Sequence, residues 1–454
     1  MTAGRTLYLF DDGQARRWHP FAATRPVGEL LFGTLLLRER IERGVGLPAA
    51  ATLGCPGLEG FSEPGAPPVW NGLFRSGGGE SLILLSRYVP PLTQGLSLPS
   101  AAPPGGLRLV CGGTPVGWLL PGGTPLPSAE ELAAPHEGGD DREELRVPGE
   151  VLDRPWNLME RNGERVAADL AALYPGGRGG AAAPFDPPRG VWVTGGHPVS
   201  AAPDVQVAPG VVLDTRDGPI HLSAGVRIEP RTHLQGPAWI GEGCHLLGGR
   251  LGQVSVGPVS KVHGEVDSTV LNGFVNKAHD GHLGHAVVGR WVNLGAMTTN
   301  SDLKNTYGPI RVKTPEDPGG AAGEPVDVDT GMIKVGAFLG DYVRTGIGTL
   351  LNSGVVVGAG STLFAGPVIS GWVPPFSWVT PEGRQGVRLD AFLTVTTRAM
   401  GRRGRALDAG TRELLTRLHR EAGGGSPDRD EGKGVDPSTP AAGRTESGTE
   451  GELQ

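Results

Sequence analysis

A bulky or β-branched residue recurs at every sixth position from Ile333 to Ile369: Ile333, Leu339, Thr345, Leu351, Val357, Leu363, Ile369. Gly340, Gly346 and Gly358 stand directly behind three of them. A helix would repeat its apolar positions at about 3.6 residues and a strand at 2. A six-residue period instead predicts a β-solenoid, in which each flat face buries one side chain before the chain turns. The spacing also runs through Val207, Leu213, Leu222, Ile228, Leu234, Ile240 and Leu246, with three extra residues between Leu213 and Leu222. It resumes at Val256 and Val262, then Val270, Val288 and Leu294. Residues 313–330 break the period and read as an excursion from one corner, and the repeat ends after Val379.

The N-terminal part follows another rule. Leu7–Phe10 is a short apolar run ending at Asp11-Asp12-Gly13, a buried strand followed by a loop through Arg16, Arg17 and Pro20 to Arg25-Pro26. A helix is predicted from about Gly28 to Arg43, with Leu30, Leu31, Leu35 and Ile41 on its apolar side. Strands follow at Ser81–Leu85 and Leu107–Cys111, and a helix runs from about Arg154 to Leu173. Alternating strands and helices predict an α/β, Rossmann-like domain with a mostly parallel sheet. The division expected is 1–180 for this domain, a Gly/Ala/Pro-rich linker near 175–190, 190–380 for the solenoid, 381–421 for a helical segment including Thr411–Glu421, and 422–454 for a polar, disordered tail.

Composition narrows the functional classes. The 454 residues carry a net charge of −7, which argues against a nucleic-acid or membrane-surface protein. No apolar run is long enough to span a bilayer and no signal core opens the chain. Cys55, Cys111 and Cys244 form no metal or disulfide pattern, which fits a reducing cytoplasm.

Two stretches could carry chemistry. Asn276–Gly284 places Lys277, His279, Asp280 and His282 beside a packed core, with Asn293, Asn300, Asn305 and Tyr307 following. A neutral imidazole at His279 could take the proton from an attacking amine, Lys277 could hold a phosphate, and Asn293 could orient a sugar. A shared zinc site competes, because His279, His282 and His285 recur every third residue, but a six-residue face would point His279 and His285 apart. In the N-terminal domain, Arg16, Arg17 and Arg25 could bind a triphosphate and a sugar phosphate, and Asp11 or Asp12 could hold magnesium. Gly13 is the only glycine there, so no glycine-rich cradle exists.

Four stretches resemble one bacterial family. They are Phe10-Asp-Asp with His19–Leu30, Arg154–Gly163, Asn276–Gly284, and Asn293–Gly308. The family pairs a sugar-nucleotidyltransferase domain with a left-handed parallel β-helix of hexapeptide repeats. It is similar to the bifunctional N-acetylglucosamine-1-phosphate uridyltransferase/glucosamine-1-phosphate acetyltransferase. The resemblance implies acetyl transfer from acetyl-CoA to glucosamine 1-phosphate, then coupling to UTP with Mg2+ to give UDP-N-acetylglucosamine for the cell envelope. It also implies a cytoplasmic homotrimer with acyl-CoA sites between subunits. His279 falls at the catalytic base and Asn293 at a substrate-binding asparagine. His282 falls where a sugar-binding tyrosine stands, and Asn305 and Tyr307 resemble an Asn-Tyr pair with one residue inserted. Ala296 and Ala365 match small residues lining the acetyl-CoA groove. For the sugar nucleotide, the resemblance keeps Arg16 in place and puts Arg25 where the family has a lysine's charge; Asp12 and Lys277 join them as substrate-binding candidates on their own chemistry. The row Leu9–Arg16 lacks the glycines of Leu-x-x-Gly-x-Gly-Thr-Arg, and Gly112–Gly117 stands where the family has an Asn-Gly-Arg stretch. A single-activity transferase, with the other domain as scaffold or binding module, and a nucleotide-sugar sensor are the alternatives.

Overall fold

The computed structural model describes residues 4–71, 78–127, 142–175, 183–316, 324–364, 366 and 368–423. The N-terminal domain is built on a seven-stranded sheet of β1 (Thr6–Phe10), β2 (Ala49–Leu53), β3 (Val69–Trp70), β4 (Ser81–Leu85), β5 (Leu107–Cys111), β6 (Thr114–Leu120) and β7 (Glu143–Arg146), in the order β7-β5-β6-β4-β1-β2-β3. Only β6 runs antiparallel to its neighbours. β1 lies between β4 and β2, both parallel to it, so the strand order reverses there. Ligand crevices form at the carboxyl ends of strands at such a switch point.

The helix predicted from Gly28 is shorter than expected. Val27–Glu29 is a single 3-10 turn, Leu31–Phe32 and Leu35–Leu36 pair as a tight hairpin, and α1 spans only Leu37–Val45. Gly33 turns the hairpin at φ +65°, where a side chain would strain the backbone. Asp169, on α2 (Asn162–Leu173), accepts from Thr34 N at 3.0 Å and pairs with the buried Arg40 guanidinium at 2.5 Å.

From residue 192 the chain winds as a left-handed parallel β-helix. One face stacks the segments 199–201, 220–222, 238–240, 254–256, 270–271, 287–288, 338–339, 356–357 and 372–373. A second stacks 206–207, 227–228, 245–246, 261–262, 276–277, Asn293, 344–345, 362–363 and 378–379. A third runs from 192–195 to Leu351 and Ile369. Inward residues Leu222, Ile240, Val256, Leu271 and Val288 lie 18, 16, 15 and 17 residues apart, so the corners differ in length and the sixfold count slips. Ala183–Pro184, placed in the linker by composition, pairs with Ser200 and Ala201 and opens the helix.

Two repeat positions differ from expectation. Ile333 is 53 % exposed, on the limb returning from the excursion, so the regular register starts at Leu339. Val270 points outward and Leu271 fills the core. The outward column Val270, Val287, Phe338 and Val356 on the first face packs against Trp18, Phe21, Val27 and Leu30. Apolar doublets such as Val287-Val288 and Phe338-Leu339 therefore have two partners, one inside the helix and one in the N-terminal domain. At about 25 cal/mol per Å² of apolar surface removed from water, this continuous seam fixes the two domains together.

After the helix, α3 (Leu389–Gly401) and α4 (Ala409–Glu421) fold back. Phe392 packs with Tyr342 and Phe376, and Arg344 Nη2 donates to Thr396 Oγ1 at 3.1 Å, so α3 lies over the second face. Residues of the acidic tail from 424 onward lie outside the described residues.

Candidate active sites

At the switch point between β1 and β4 stand Asp11, Asp12, Ser86 and Arg87. Asp12 caps the helical turn Gly13–Arg16, accepting from Ala15 N at 2.9 Å, as short acidic side chains do at helix starts. Arg87 grips the same carboxylate with two nitrogens, at 3.0 and 2.7 Å, and reaches Asp153 at 3.1 Å. Asp11 is buried, its Oδ2 accepting from Val27 N at 2.8 Å, and burial raises its carboxyl above the usual range against the pull of Arg16. Arg16 is 4 % exposed, with Nε and Nη1 unpartnered among the described residues. Arg17 turns instead to the Glu316 carbonyl at 2.8 Å. For magnesium the fit is poor, because Asp12 is held by Arg87 and Asp11 is enclosed.

Arg25 is not part of this crevice's open wall. Its guanidinium is 2 % exposed and pairs with Asp341 of the β-helix at 2.7 Å and with Glu63 at 3.1 Å. Thr24 Oγ1 donates to the same Asp341 carboxylate at 2.8 Å. The arginine that should take a phosphate is thus a strut between domains. Glu63 also pairs with Arg290, a partner that nothing in the local sequence signals.

The second candidate lies on the edge between the second and third faces. Successive coils stack the corners 263–264, 278–281, 295–298 and 346–349 there. Met297 N donates to Asp280 O at 2.9 Å and Gly348 N to Ala296 O at 2.8 Å, which fixes the column. His279 is exposed in its corner, beside Asp280, whose Oδ1 lies 3.2 Å from His263 Nδ1. Gly281 closes the corner at φ +125°, and a Cβ there would stand 2.1 Å from Thr298 O. His279 and Ala296 therefore share one edge on adjacent coils. Asn293 is exposed just before it and accepts from Asn276 Nδ2 at 2.9 Å. Ala365 lies outside the described residues.

Lys277 corrects the phosphate expectation. It takes an inward position of the second face and is 2 % exposed, so it cannot meet a substrate. Its Nζ donates to His263 O at 2.7 Å and His279 O at 2.9 Å, tying two neighbouring corners from inside. Desolvation pulls its ammonium down to about 8, only partly countered by Asp280. Asn300 also points inward, bracketing Gly284 through N–H to Oδ1 at 2.8 Å and Nδ2 to the carbonyl at 2.9 Å.

His282 lies on the third face, 3.8 Å from Asp302 and 3.6 Å from Glu265. Asp302 raises the His282 imidazole above its ordinary range despite partial burial. His285 Nδ1 donates at 2.7 Å to the same Asp302, whose carboxyl is held far below the usual range by the two imidazoles. Asn305 and Tyr307 lie on the segment leading from the third face into the excursion, with Tyr307 72 % exposed. The structure thus brings His279 and Ala296 to one edge, with Asn293 on the second face just before it, His282 on the third face, and the Asn-Tyr pair on the segment leading into the excursion.

The chain thus joins an α/β domain, with a switch point at β1, to a left-handed β-helix with an exposed histidine corner. Residues 7–176 match the family described as sugar nucleotidyl transferase, so the N-terminal domain is a domain of that type. The chain is similar to the bifunctional protein GlmU of Acaryochloris marina, 28 % identical over 184 residues, covering 40 % of this chain and 30 % of the relative. It is also similar to that of Nostoc sp., 30 % identical over 188 residues, covering 38 % and 41 %. A bifunctional sugar-1-phosphate nucleotidylyltransferase/acetyltransferase of Sulfurisphaera tokodaii is 28 % identical over 106 residues, covering 23 % and 24 %. The matched part spans less than half the length of each of these relatives.

Proposed function

We propose that the chain is a bifunctional enzyme of nucleotide-sugar synthesis, acetylating glucosamine 1-phosphate at the His279 corner and coupling the product to UTP in the N-terminal domain. The observation that carries the first reaction is the open His279 imidazole stacked one coil from Ala296, on an edge pinned from inside by Lys277. The sugar amine attacks the thioester carbonyl; a C–N bond forms, the C–S bond breaks, and His279 takes the amine proton as the thiolate of CoA leaves. Asn293, His282, Asn305 and Tyr307 serve as sugar and phosphate contacts in this reading. The second reaction is supported by the family match and by Arg16, whose buried guanidinium has nitrogens free for a phosphate.

The site is completed by assembly in this proposal. Met297 (54 % exposed), Ile347 (73 %), Leu350 (46 %) and Val368 (52 %) put an apolar strip along the same edge and its adjoining face. Such a strip fits burial against a second copy of the chain, as in a trimer. No described helix is long and apolar enough to cross a membrane.

One observation favours a narrower reading. Asp12 and Arg25 are engaged by Arg87 and Asp341, which suits a first domain that binds a nucleotide sugar without transferring a nucleotide. A paired assay with glucosamine 1-phosphate, acetyl-CoA, UTP and magnesium separates the two. Release of CoA and pyrophosphate together, the latter dependent on acetylation, is expected. CoA alone selects the narrower reading; pyrophosphate alone, given N-acetylglucosamine 1-phosphate, reduces the β-helix to a scaffold and removes His279 from the proposal.

A further inference from the structure

The second face carries an outward ladder unrelated to the His279 edge. Arg227, His245 and Lys261 stand on successive coils, paired in register, and Asn276 and Asn293 continue the column. Rungs of a parallel sheet are about 4.8 Å apart, so Arg227 and Lys261 are roughly 10 Å apart along the helix axis. Arg402 and Arg403, just past α3, face this ladder across a groove of about 570 Å³. Arg403 is fixed there by donating to Val259 O at 2.5 Å.

Charge makes the groove unusual in a chain whose net charge is −7. Arg227, Lys261, Arg402 and Arg403 converge from two separate elements, and none forms an ion pair among the described residues. No carboxylate lines the groove among those residues; Glu229 holds His245 at 2.7 Å, and Asp204 accepts from the backbone N–H of Gly225 at 2.9 Å. Burial lowers Arg403, and the neighbouring Arg402 lowers it further, as uncompensated like charges do. Surface cations normally scatter or pair. Here four of them line one space, and none is paired with a carboxylate among the described residues. Amide donors from Asn276 and Asn293 line one end, next to the stacked rings of Phe274 and Trp291, 4.1 Å apart.

We propose that this groove is an anion site for a chain of phosphates, as in inorganic polyphosphate or the polyphosphate of a nucleotide. A single phosphate reaches two neighbouring rungs at most, whereas linked phosphates span Arg227 to Lys261 and meet Arg402 and Arg403 on the other wall. Apart from Asn293, which the proposed acetyl-transfer site shares, the groove's lining lies off the His279 edge and outside the N-terminal crevice, so its cations do not depend on the proposed reactions.

Isothermal titration of the full-length protein with tripolyphosphate, ATP and orthophosphate tests this. Tripolyphosphate should bind at least tenfold more tightly than orthophosphate, with an affinity that falls as salt rises. The exposed substitutions Arg227→Glu and Lys261→Glu, each checked for an unchanged circular dichroism spectrum, should each weaken it roughly tenfold or more, the worth of a charged hydrogen bond plus a reversed charge. ATP binding more tightly than tripolyphosphate, with that advantage lost in Trp291→Ala, identifies the nucleotide as the ligand; equal binding identifies the bare polyphosphate. Unchanged tripolyphosphate affinity in both charge reversals, or orthophosphate binding as tightly as tripolyphosphate, overturns the proposal.

Discussion

Replacing Lys277 by Met keeps length and most of the volume but removes the ammonium from the β-helix core. Two opposed effects set the outcome. The His263 and His279 carbonyls lose donors at 2.7 and 2.9 Å. Each buried acceptor left unsatisfied costs about 1–3 kcal/mol. Against this, the wild type at neutral pH holds a desolvated charge whose pKa falls from 10.5 to about 8. At about 1.4 kcal/mol per unit, that is roughly 3 kcal/mol of destabilisation that Met does not suffer. Near pH 7 the variant should therefore lie within a few kcal/mol of wild type. The sign of the pH dependence is fixed by the depressed pKa. Between pH 8 and 10.5 the unfolded lysine holds more proton than the folded one, so wild-type stability gains as pH rises. The deficit of Lys277→Met should widen by roughly 3 kcal/mol over that window. Urea unfolding of both proteins at pH 7, 8, 9 and 10.5 reads the difference, in which other titrating groups largely cancel. A deficit that stays constant or narrows with pH refutes the buried, charge-strained lysine.

Arg25→Ala should lower stability by about 3–5 kcal/mol, because it leaves Asp341 buried without its partner. Arg25→Lys should recover only part of it, since one ammonium cannot replace the fork; thermal unfolding reads both. Phe338→Ala should cost about 3–5 kcal/mol by emptying the seam between the domains, measured as a shift in the urea midpoint. His221 is stacked on Tyr174 at 4.0 Å and burial lowers it to about 4. Its depressed pKa makes the protein lose up to about 3 kcal/mol as pH falls from 6.5 to 4, and His221→Phe should flatten that part of the stability profile. His279→Ala should abolish CoA release from glucosamine 1-phosphate and acetyl-CoA while leaving any pyrophosphate release intact, measured in the paired assay.

The sequence alone determined the β-helix, because a buried residue every sixth position is imposed by the geometry of one coil and needs no distant contact to be seen. It likewise placed β1, β4 and β5, whose apolar runs are local, and brought His279 near Ala296, since adjacent coils follow in sequence. What each outward residue meets was settled only by packing. Val270 and Leu271 look alike in the chain, yet one enters the core and the other the seam with Phe21 and Val27. The doublets at 287–288, 338–339 and 356–357 carried that information without naming the partner. The predicted helix at Gly28 became a hairpin because Asp169, more than 130 residues on, captures Thr34 and Arg40. In the chain Arg25 and Lys277 resemble phosphate ligands, because a cation in a loop or repeat is usually solvated. Tertiary structure buried both, one against Asp341 and one beneath two carbonyls, and a charge taken out of water binds whatever compensation lies within reach.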